Sequence, residues 1–345
     1  MRMPLEKKII IITDYKVFFG SKLFSPIYRG GMDIQKMESY LNAEGYKTKV
    51  IEFTKTNSLY SLTAKPIILY TSSEDKDGKY KSFIEDIIFD LEKRGFQVIP
   101  SIECLRAHNN KVAMELMRDR SLLSDIQTIH SRVFGTLEEL RASINEFSYP
   151  VVIKTFSGAM SRGVDKADNP IELLKKAANL SKSPNLRHDI KELLRKLKYR
   201  QRYVKESFHR SKFVVQNLIE GLKNDWKVLV YGNRCYVLRR DNRDNDFRAS
   251  GSGKFTFSKE LPEGMLDFAL KVCKHFNVPH ISLDIAYDGT RFHLIEFQFL
   301  YFGTTTIEKS NHYFLKSNNG WEVIEEQSDL EQVYVDSVLK YLNHL

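Results

Sequence analysis

The apolar positions in the first third of the chain alternate between short runs and helical periodicity. The short runs predict strands at Ile9–Thr13, Lys47–Phe53, Ile67–Thr71 and Phe96–Ile99. Apolar residues spaced by three and four predict amphipathic helices at Asp33–Ala43 and Tyr80–Lys93. This β-α-β order predicts a small, mostly parallel sheet with helices on both faces. The first strand is not followed by a Gly-X-Gly-X-X-Gly motif, so a dinucleotide site of that type is not expected there.

The pattern changes after a polar turn at residues 107–110, where we place a domain boundary. Helices are predicted at Lys111–Arg120, Leu266–His275 and Leu330–Leu342. Strands separated by short turns are predicted at Val151–Lys154, Phe213–Gln216, Trp226–Tyr231, Cys235–Arg240, Ile281–Tyr287 and Phe292–Phe299. The fold class is therefore α/β in the first third, followed by α+β with antiparallel pairs.

Composition narrows the class of protein without identifying it. The 345 residues suffice for two or three lobes, and 42% apolar with 28% charged residues is typical of a globular protein. No apolar run approaches the roughly 20 residues that a membrane-spanning helix needs, and the N-terminal isoleucine run is too short for a signal peptide. The three cysteines are an odd number at unrelated spacings, which indicates a reducing cytoplasm and argues against a zinc knuckle.

The net charge of +9 is concentrated in one segment. Residues Arg187–Lys212 contain ten Lys/Arg and three acidic residues. Aliphatic residues recur at helical spacing from Leu186 to Leu197, which predicts an amphipathic helix with one basic face. That face could be a solvated surface, a binding site for an anionic partner, or an oligomer contact. Nucleic acid is not expected, since the basic stripe lacks interleaved aromatic residues before Tyr199.

Several segments carry residue types suited to phosphate chemistry. Lys154 ends a predicted strand and is followed by the small-residue loop Ser157–Gly163, whose amides could cradle phosphate oxygens. Gln216 lies where an apolar strand breaks, so nearby backbone groups could contact a planar ring edge. Asp225 opens the next strand, where it could accept ribose hydroxyls. Each feature alone is also compatible with an ordinary turn or edge strand.

Two further segments offer fixed cations. Arginines near strand ends can grip phosphate or carboxylate oxygens. Arg239 and Arg240 should point to opposite faces of their strand, so only one can face a site. Arg248 follows in the next loop.

Carboxylates inside apolar strands are the most specific signal. Asp284 interrupts one such strand, and Glu296 with Gln298 interrupts the next. A hairpin centred on residue 290 would place Asp284 opposite Glu296 on one face. Two carboxylates and an amide oxygen suit Mg²⁺, although a buried salt bridge is the competing interpretation.

Taken together and in this order, residues from about Asn109 to Ser310 resemble the ATP-grasp superfamily, particularly the branch of glutathione synthetase and the ribosomal-protein glutamate ligase. The resemblance implies a pre-ATP-grasp parallel-sheet lobe over residues 1–108. A two-lobed ATP-grasp domain would follow, with a nucleotide lobe at 109–215 that contains a basic helical insertion at 186–205. A C-terminal lobe with the metal site would occupy 216–345.

The resemblance also implies roles for individual residues. Lys111 and Lys154 would hold the ATP phosphates, and Lys154, Arg240 and Arg248 would act at the reacting groups. The other implied nucleotide contacts are Ser157, Gly158, Ser161, Gly163, Gln216, Asn217, Leu218, Ile219, Asp225 and Lys227. Asp284, Glu296 and Gln298 would bind the metal. The chain departs from the family at Gln298, where Asn is usual, and at Asn217, where Glu is usual.

The implied activity is ATP-dependent ligation of a carboxylate to an amine, with ATP and two Mg²⁺ ions as cofactors. A weaker similarity of Glu296–Ser310 to ATP-grasp proteins of surface-polysaccharide gene clusters suggests an acidic sugar or glycan precursor as one substrate. The alternative is a kinase of the same fold that phosphorylates a hydroxyl of an anionic substrate. A non-enzymatic module that binds nucleic acid or membrane is the third class. The sequence leaves homo-oligomer formation open.

Overall fold

A computed structural model describes residues 7–158, 163–183, 185–243 and 246–344. Contacts between residues divide the chain into two compact units. The terminal unit contains residues 1–108 and 223–345, and the middle unit contains residues 109–222. The three-domain division expected from the family resemblance stays a prediction.

The described residues from 7 to 108 form the predicted parallel sheet. Its strands are β1 (Lys8–Thr13), β2 (Lys47–Glu52), β3 (Ile67–Tyr70) and β4 (Val98–Ile99). They pair in the order β2-β1-β3-β4, and every pair is parallel. The accompanying helices are α1 (Ile34–Ala43), α2 (Lys79–Lys93) and α3 (Ile102–Ala107). The elements predicted here are confirmed to within two residues. The short α3 and two 3-10 helices, Phe53–Leu59 and Lys76–Gly78, were not predicted.

The middle unit is built on a four-stranded antiparallel sheet. Its helices are α4 (Lys111–Asp119), α5 (Leu137–Ala142), α6 (Pro170–Leu180) and α7 (Leu186–Tyr199). The strands β5 (Ser131–Phe134), β6 (Val151–Thr155), β7 (Val164–Ala167) and β8 (Phe213–Asn217) pair in the order β5-β8-β6-β7. Alternate residues of β6 and β8, such as Val151 and Val215, pack with α5 and α6 in one apolar core.

The described residues between 223 and 344 form a seven-stranded antiparallel sheet with three helices. The strands are β9 (Asn224–Tyr231), β10 (Arg234–Asp241), β11 (Phe255–Thr256), β12 (His280–Tyr287), β13 (Phe292–Gln298), β14 (Tyr313–Ser317) and β15 (Gly320–Ile324). The helices are α8 (Met265–His275), α9 (Thr305–Glu308) and α10 (Leu330–Leu342). The order is β13-β12-β9-β10-β14-β15, and β11 pairs with β10. The predicted antiparallel pairs are confirmed.

The two sequence segments of the terminal unit share one hydrophobic core. Buried residues of β1 and α1, including Ile9 and Met37, pack in the same cluster as Leu229 of β9 and Val335 of α10. Buried carboxylates anchor the loop that follows β1. Glu308 accepts hydrogen bonds from the backbone amides of Leu23 (2.6 Å) and Phe24 (2.9 Å). Glu331 likewise accepts from Lys22 Nζ (2.6 Å) and the amide of Asp33 (2.8 Å).

The basic helix is shorter than the sequence predicted. α7 ends at Tyr199, because Arg200 adopts a φ of 49° that no helix continues. The chain then turns back, and the Tyr203 hydroxyl donates to both carboxylate oxygens of Glu192 at 2.7 Å. Much of the charge in residues 187–212 therefore lies on an irregular segment after the helix.

The orientation of α7 differs from that of an ordinary amphipathic helix. Its buried residue is Glu192, whose carboxylate also accepts from the Glu206 amide (2.9 Å) and from Arg195 (2.7 Å). The aliphatic residues of the helix are exposed instead: Leu186, Ile190, Leu193, Leu194 and Leu197.

No helix in the described residues is long and apolar enough to cross a membrane.

The Glu192 anchor predicts acid sensitivity of this segment. Hydrogen bonds from the Tyr203 hydroxyl and the Glu206 amide, with the Arg195 charge, lower the pKa of Glu192 to about 2. Because this pKa is below the value of about 4.3 in an unfolded chain, the stabilising effect is present above that value. It is lost as the pH falls towards 2. We expect amide-exchange protection of residues 186–206, corrected for intrinsic rates, to decline over that range.

Glu192→Gln should weaken protection at neutral pH and remove most of this pH dependence. The exposed Glu220 of the same unit provides the matched control, and Glu220→Gln should behave like the wild type. An unchanged acid response in Glu192→Gln would contradict the role of this carboxylate.

Candidate active site

Two buried lysines of the middle unit lie where the sequence analysis expected phosphate-binding cations. Lys111 is the first residue of α4, after the N-cap Asn110, and Lys154 lies near the end of β6. Both are at most 5% exposed. Strand alternation places Lys154 on the sheet face opposite the core residue Ile153. Lys111 Nζ donates to the Gly158 carbonyl at 2.8 Å, which brings this cation to the start of the small-residue loop.

Thr155 holds both ends of that loop. Its hydroxyl donates to the Ser157 carbonyl (2.7 Å), and its amide donates to the Gly163 carbonyl (2.8 Å). Gly163 has a φ of 69°, and a Cβ there would lie 2.4 Å from Thr155 Oγ1, so glycine is required. Gly158 donates its amide to Asn109 Oδ1 at 3.2 Å. Ser161, also expected to contact nucleotide, lies outside the described residues.

The expected adenine-contact segment begins inside β8 and continues past its end. Gln216 is 5% exposed, and its Oε1 has no hydrogen-bond partner among the described residues. Asn217 is exposed, and its amide donates to the His130 carbonyl (3.0 Å). Strand pairing of β8 stops there, and the half-buried Leu218 and Ile219 follow. The nucleotide contacts of these four residues stay predictions.

One face of the seven-stranded sheet in the terminal unit carries a row of charged side chains. Asp225 and Lys227 lie two residues apart on β9, so both project from the same face. Strand pairing places Arg240 of β10 opposite Asp225, and Asp284 of β12 opposite Lys227. Glu296 of β13 lies opposite Asp284. Five charged residues from four neighbouring strands therefore share one surface.

Arg240 is shared between two carboxylates. It donates to Asp225 through Nε (2.6 Å) and Nη2 (2.9 Å), and its Nη2 also lies 2.9 Å from Asp284 Oδ2. Lys227 Nζ donates to Ser282 Oγ at 2.9 Å and lies 3.5 Å from Asp284 Oδ1. The cluster is largely buried, and two cations balance two anions, as burial of charge requires.

The two carboxylates differ in their electrostatic surroundings. Burial raises the pKa of Asp225, and this effect outweighs the attraction of Arg240. Burial acts in the same direction on Asp284, but Arg240 and Lys227 together outweigh it and hold the pKa of Asp284 below its ordinary range. Asp284 therefore remains ionised at neutral pH, because it contacts two cations.

The remaining arginines are held by their own partners. Arg239 pairs with Asp241 (3.0 Å) and lies over the Trp226 ring, which confirms that it points away from Arg240. Arg248 folds back on Asp246, with Nη2 2.6 Å from Oδ2. The substrate-side role expected of Arg248 stays a prediction.

The predicted pairing of Asp284 with Glu296 is present, but it depends on a β-bulge. The turn pairs Tyr287 with Phe292 and Ile285 with Leu294, a register that alone would set Asp284 opposite Ile295. The register shifts between Asp284 and Ile285, and this shift brings Glu296 opposite Asp284. The sequence analysis therefore identified the correct partner of Asp284. The turn, however, is centred between residues 289 and 290 rather than on residue 290, and the bulge compensates for the difference.

The oxygen atoms of this region suit a hard divalent cation. Asp284 Oδ1 is buried and accepts no hydrogen bond from the described residues. Gln298 Nε2 donates weakly to Glu296 Oε1 (3.4 Å), which leaves the Gln298 amide oxygen as a further donor atom for a metal. Among the described residues no group of three or more His, Cys, Asp or Glu could hold a metal ion. A metal site here would consist of two carboxylates and an amide, a set compatible with Mg²⁺.

Some residues next to these sites were not foreseen. Ser282 is two residues from Asp284 and therefore on the same face, a spacing that could have identified it as the partner of Lys227. Glu115 and Arg118 form a fully buried ion pair inside α4. Their spacing of three residues on a helix was the available signal.

Known proteins provide an independent comparison. No family model matches the chain. Two curated sequences named formate-dependent phosphoribosylglycinamide formyltransferase are similar to it. The one from Chlorobaculum tepidum is 25% identical over 55% of this chain and 47% of its own length. The one from Sulfurovum is 24% identical over 49% and 44%. The chain thus aligns with about half the length of these relatives.

Solved structures resemble nearly the whole chain. An ATP-grasp RimK domain protein from Sphaerobacter thermophilus has a TM-score of 0.51, with 14% identity over 96% of this chain and 99% of its own. The ATP-grasp ligase PsnB with minimal precursor, Mg and ADP has a TM-score of 0.51, with 14% identity over 99% of both chains. D-alanine–D-alanine ligase from Bacillus anthracis has a TM-score of 0.50, with 13% identity over 98% of both. The chain therefore has the ATP-grasp fold, as the sequence resemblance implied.

The shared arginine predicts a large difference between two neighbouring positions. Arg240→Met would leave two buried carboxylates without their common cation and lower the free energy of unfolding by about 3–5 kcal/mol. Arg239→Met, on the opposite and more exposed face, should change it by less than about 1 kcal/mol. Both tryptophans, Trp226 and Trp321, belong to the terminal unit, so fluorescence during urea denaturation reports on this unit.

Asp225→Asn combined with Arg240→Met should recover part of the lost stability, since one unpaired charge is then removed. Equal destabilisation by the two arginine variants would contradict the shared-cation interpretation.

Proposed function

We propose that this ATP-grasp chain is an ATP-dependent ligase that joins a carboxylate to an amine. The observation that carries the proposal is the row of charged side chains on one sheet face, in which Arg240 is fixed between Asp225 and Asp284 beside Glu296. A buried, balanced cluster of this kind presents preorganised charge to a reacting phosphate.

The middle unit supplies residues suited to the nucleotide itself. Lys111 and Lys154 would neutralise phosphate charge, and the amides of Ser157, Gly158 and Gly163 would bind phosphate oxygens. The segment from Gln216 to Ile219 would contact the adenine edge. The buried, unpartnered Oε1 of Gln216 favours this assignment, because a donor from a bound ring would satisfy it. In the terminal unit, Asp225 and Lys227 would complete the predicted nucleotide contacts.

Mg²⁺ is the metal that fits the donor atoms at the edge of the charged row. Asp284, Glu296 and Gln298 would hold it, in keeping with the buried Asp284 Oδ1, which accepts no hydrogen bond from the described residues and has only the Lys227 ammonium nearby, at 3.5 Å. When bound, Mg²⁺ would neutralise phosphate oxygens of the nucleotide. The number of ions expected from the family resemblance, two, is part of this proposal.

The reaction would proceed in two displacements. An oxygen of the substrate carboxylate attacks the γ-phosphorus, and ADP leaves, which gives an acylphosphate. The amine nitrogen then attacks the acyl carbon, phosphate leaves, and the nitrogen loses a proton. Lys111, Lys154 and Arg240 would stabilise the transferred charge, and Arg248 would bind the substrate. No covalent protein intermediate is needed.

The names of similar proteins support the substrate class. D-alanine–D-alanine ligase joins two amino acids, a carboxylate with an amine. The curated relatives use formate, also a carboxylate, to formylate phosphoribosylglycinamide. As the finer proposal, one substrate of this chain is an acidic sugar or glycan precursor, which the similarity of Glu296–Ser310 to ATP-grasp proteins of surface-polysaccharide gene clusters supports.

The first test is MgATP-dependent ADP release with a panel of acids, uronic acids included, and amines. Asp284→Asn and Glu296→Gln should each lower the rate about 100-fold or more, because each removes a charge from the proposed metal set. Glu322→Gln changes an exposed residue of the same sheet and should leave the rate unchanged. Full ADP release by Glu296→Gln would refute the metal assignment.

The second test distinguishes a ligase from a kinase of the same fold. With hydroxylamine in place of the amine, an acylphosphate yields a hydroxamate, whereas a phosphate ester yields none. We expect hydroxamate to form in proportion to ADP. ADP release with a stable phosphorylated acceptor and no hydroxamate would favour the kinase.

A further inference from the structure

α7 presents an apolar stripe to solvent. At about 100° per residue, its five aliphatic side chains fall within an arc of about 100° on the helix surface. Their exposed fractions lie between 49% and 76%. The opposite side of the helix carries Glu192, which is fully buried against the segment that returns from Tyr203 to Glu206. The helix is thus anchored through its polar side, and no element among the residues that the structure describes covers its apolar side.

Basic side chains border this stripe. On one flank, Arg187, Lys191 and Lys198 occupy neighbouring positions of the helix surface, and Lys196 lies on the other flank. Residues 186–205 contain eight Lys/Arg against two acidic residues, of which Glu192 is buried and paired. An exposed aliphatic stripe between cations is the pattern of a helix that lies in a membrane interface.

We propose that α7 docks on an anionic phospholipid surface, with the aliphatic stripe among the acyl chains and the flanking Lys/Arg at the headgroups. Long basic side chains can keep their charge at the headgroup level while their methylene stems stay in the apolar layer. A second copy of the chain would bring a second basic stripe against the first, and like charges oppose that pairing. A soluble acidic polymer would satisfy the cations but would leave the aliphatic stripe in water.

The proposal is independent of the ligase reaction. It assigns a surface of the middle unit that none of the predicted nucleotide or metal residues occupies. The reaction and the membrane contact can therefore be tested separately on the same preparation.

The test is flotation of the full chain with vesicles of equal parts phosphatidylglycerol and phosphatidylcholine, compared with phosphatidylcholine alone. We expect binding to the anionic vesicles that weakens as salt rises, and little binding to the neutral ones. Leu193→Glu combined with Leu197→Glu should weaken binding by about tenfold or more, since both residues would enter the acyl layer. Both side chains are exposed, so the fold should persist, which circular dichroism checks.

The matched control is Leu122→Glu combined with Ile171→Glu. These residues are 97% and 80% exposed in the same unit but lie outside α7, so the control makes the same change in charge and hydrophobicity. It should bind like the wild type.

Three results would overturn the proposal. The first is no binding of the wild type to anionic vesicles at low salt, and the second is equal binding by the α7 variant. The third is self-association without vesicles that the α7 variant abolishes, which would make the stripe an interface between copies.

Discussion

The pairing of buried charge in the terminal unit is the constraint on which its functional surface depends. Four charged groups that contact one another lie side by side on one sheet face: Asp225, Lys227, Arg240 and Asp284. The free-energy cost of burying any of them without an oppositely charged partner would be large. The guanidinium of Arg240 resolves this by contacting two carboxylates on the next two strands of the sheet, Asp225 on β9 and Asp284 on β12. Lys227 completes the balance of charge. The strands must keep their register for these contacts to exist, so the chemistry and the sheet stabilise each other.

Much of this arrangement could be predicted from the sequence, because strand alternation is a strict rule. The opposite directions of Arg239 and Arg240 and the shared face of Asp225 and Lys227 follow from period two alone. The partner of Asp284 was harder to predict. A single-residue bulge decides whether Glu296 or its neighbour faces it, and the apolar pattern does not encode a bulge.

The middle unit shows the opposite case, in which a local pattern was misleading. The periodicity of α7 predicted its existence correctly but not its orientation. Glu192 lies inside because Tyr203 and the Glu206 amide, more than ten residues further along, provide its hydrogen-bond donors. Local hydrophobicity contains no information on such partners, and the tertiary contacts prevailed over the amphipathic pattern. The early helix end at Arg200 has the same origin, since the chain must reverse to bring those donors back.

The common core of residues 1–108 and 223–345 has a consequence for synthesis of the chain. Ile9 and Met37 leave the ribosome long before Val335 of α10, which belongs to the same cluster. The parallel sheet of β1–β4 must therefore wait, with part of its apolar surface exposed, until the segment that contains β9 and α10 has been made. A core that forms only when two distant segments of the chain meet slows folding and leaves the nascent chain prone to aggregation. The middle unit consists of one continuous segment and can fold during that interval.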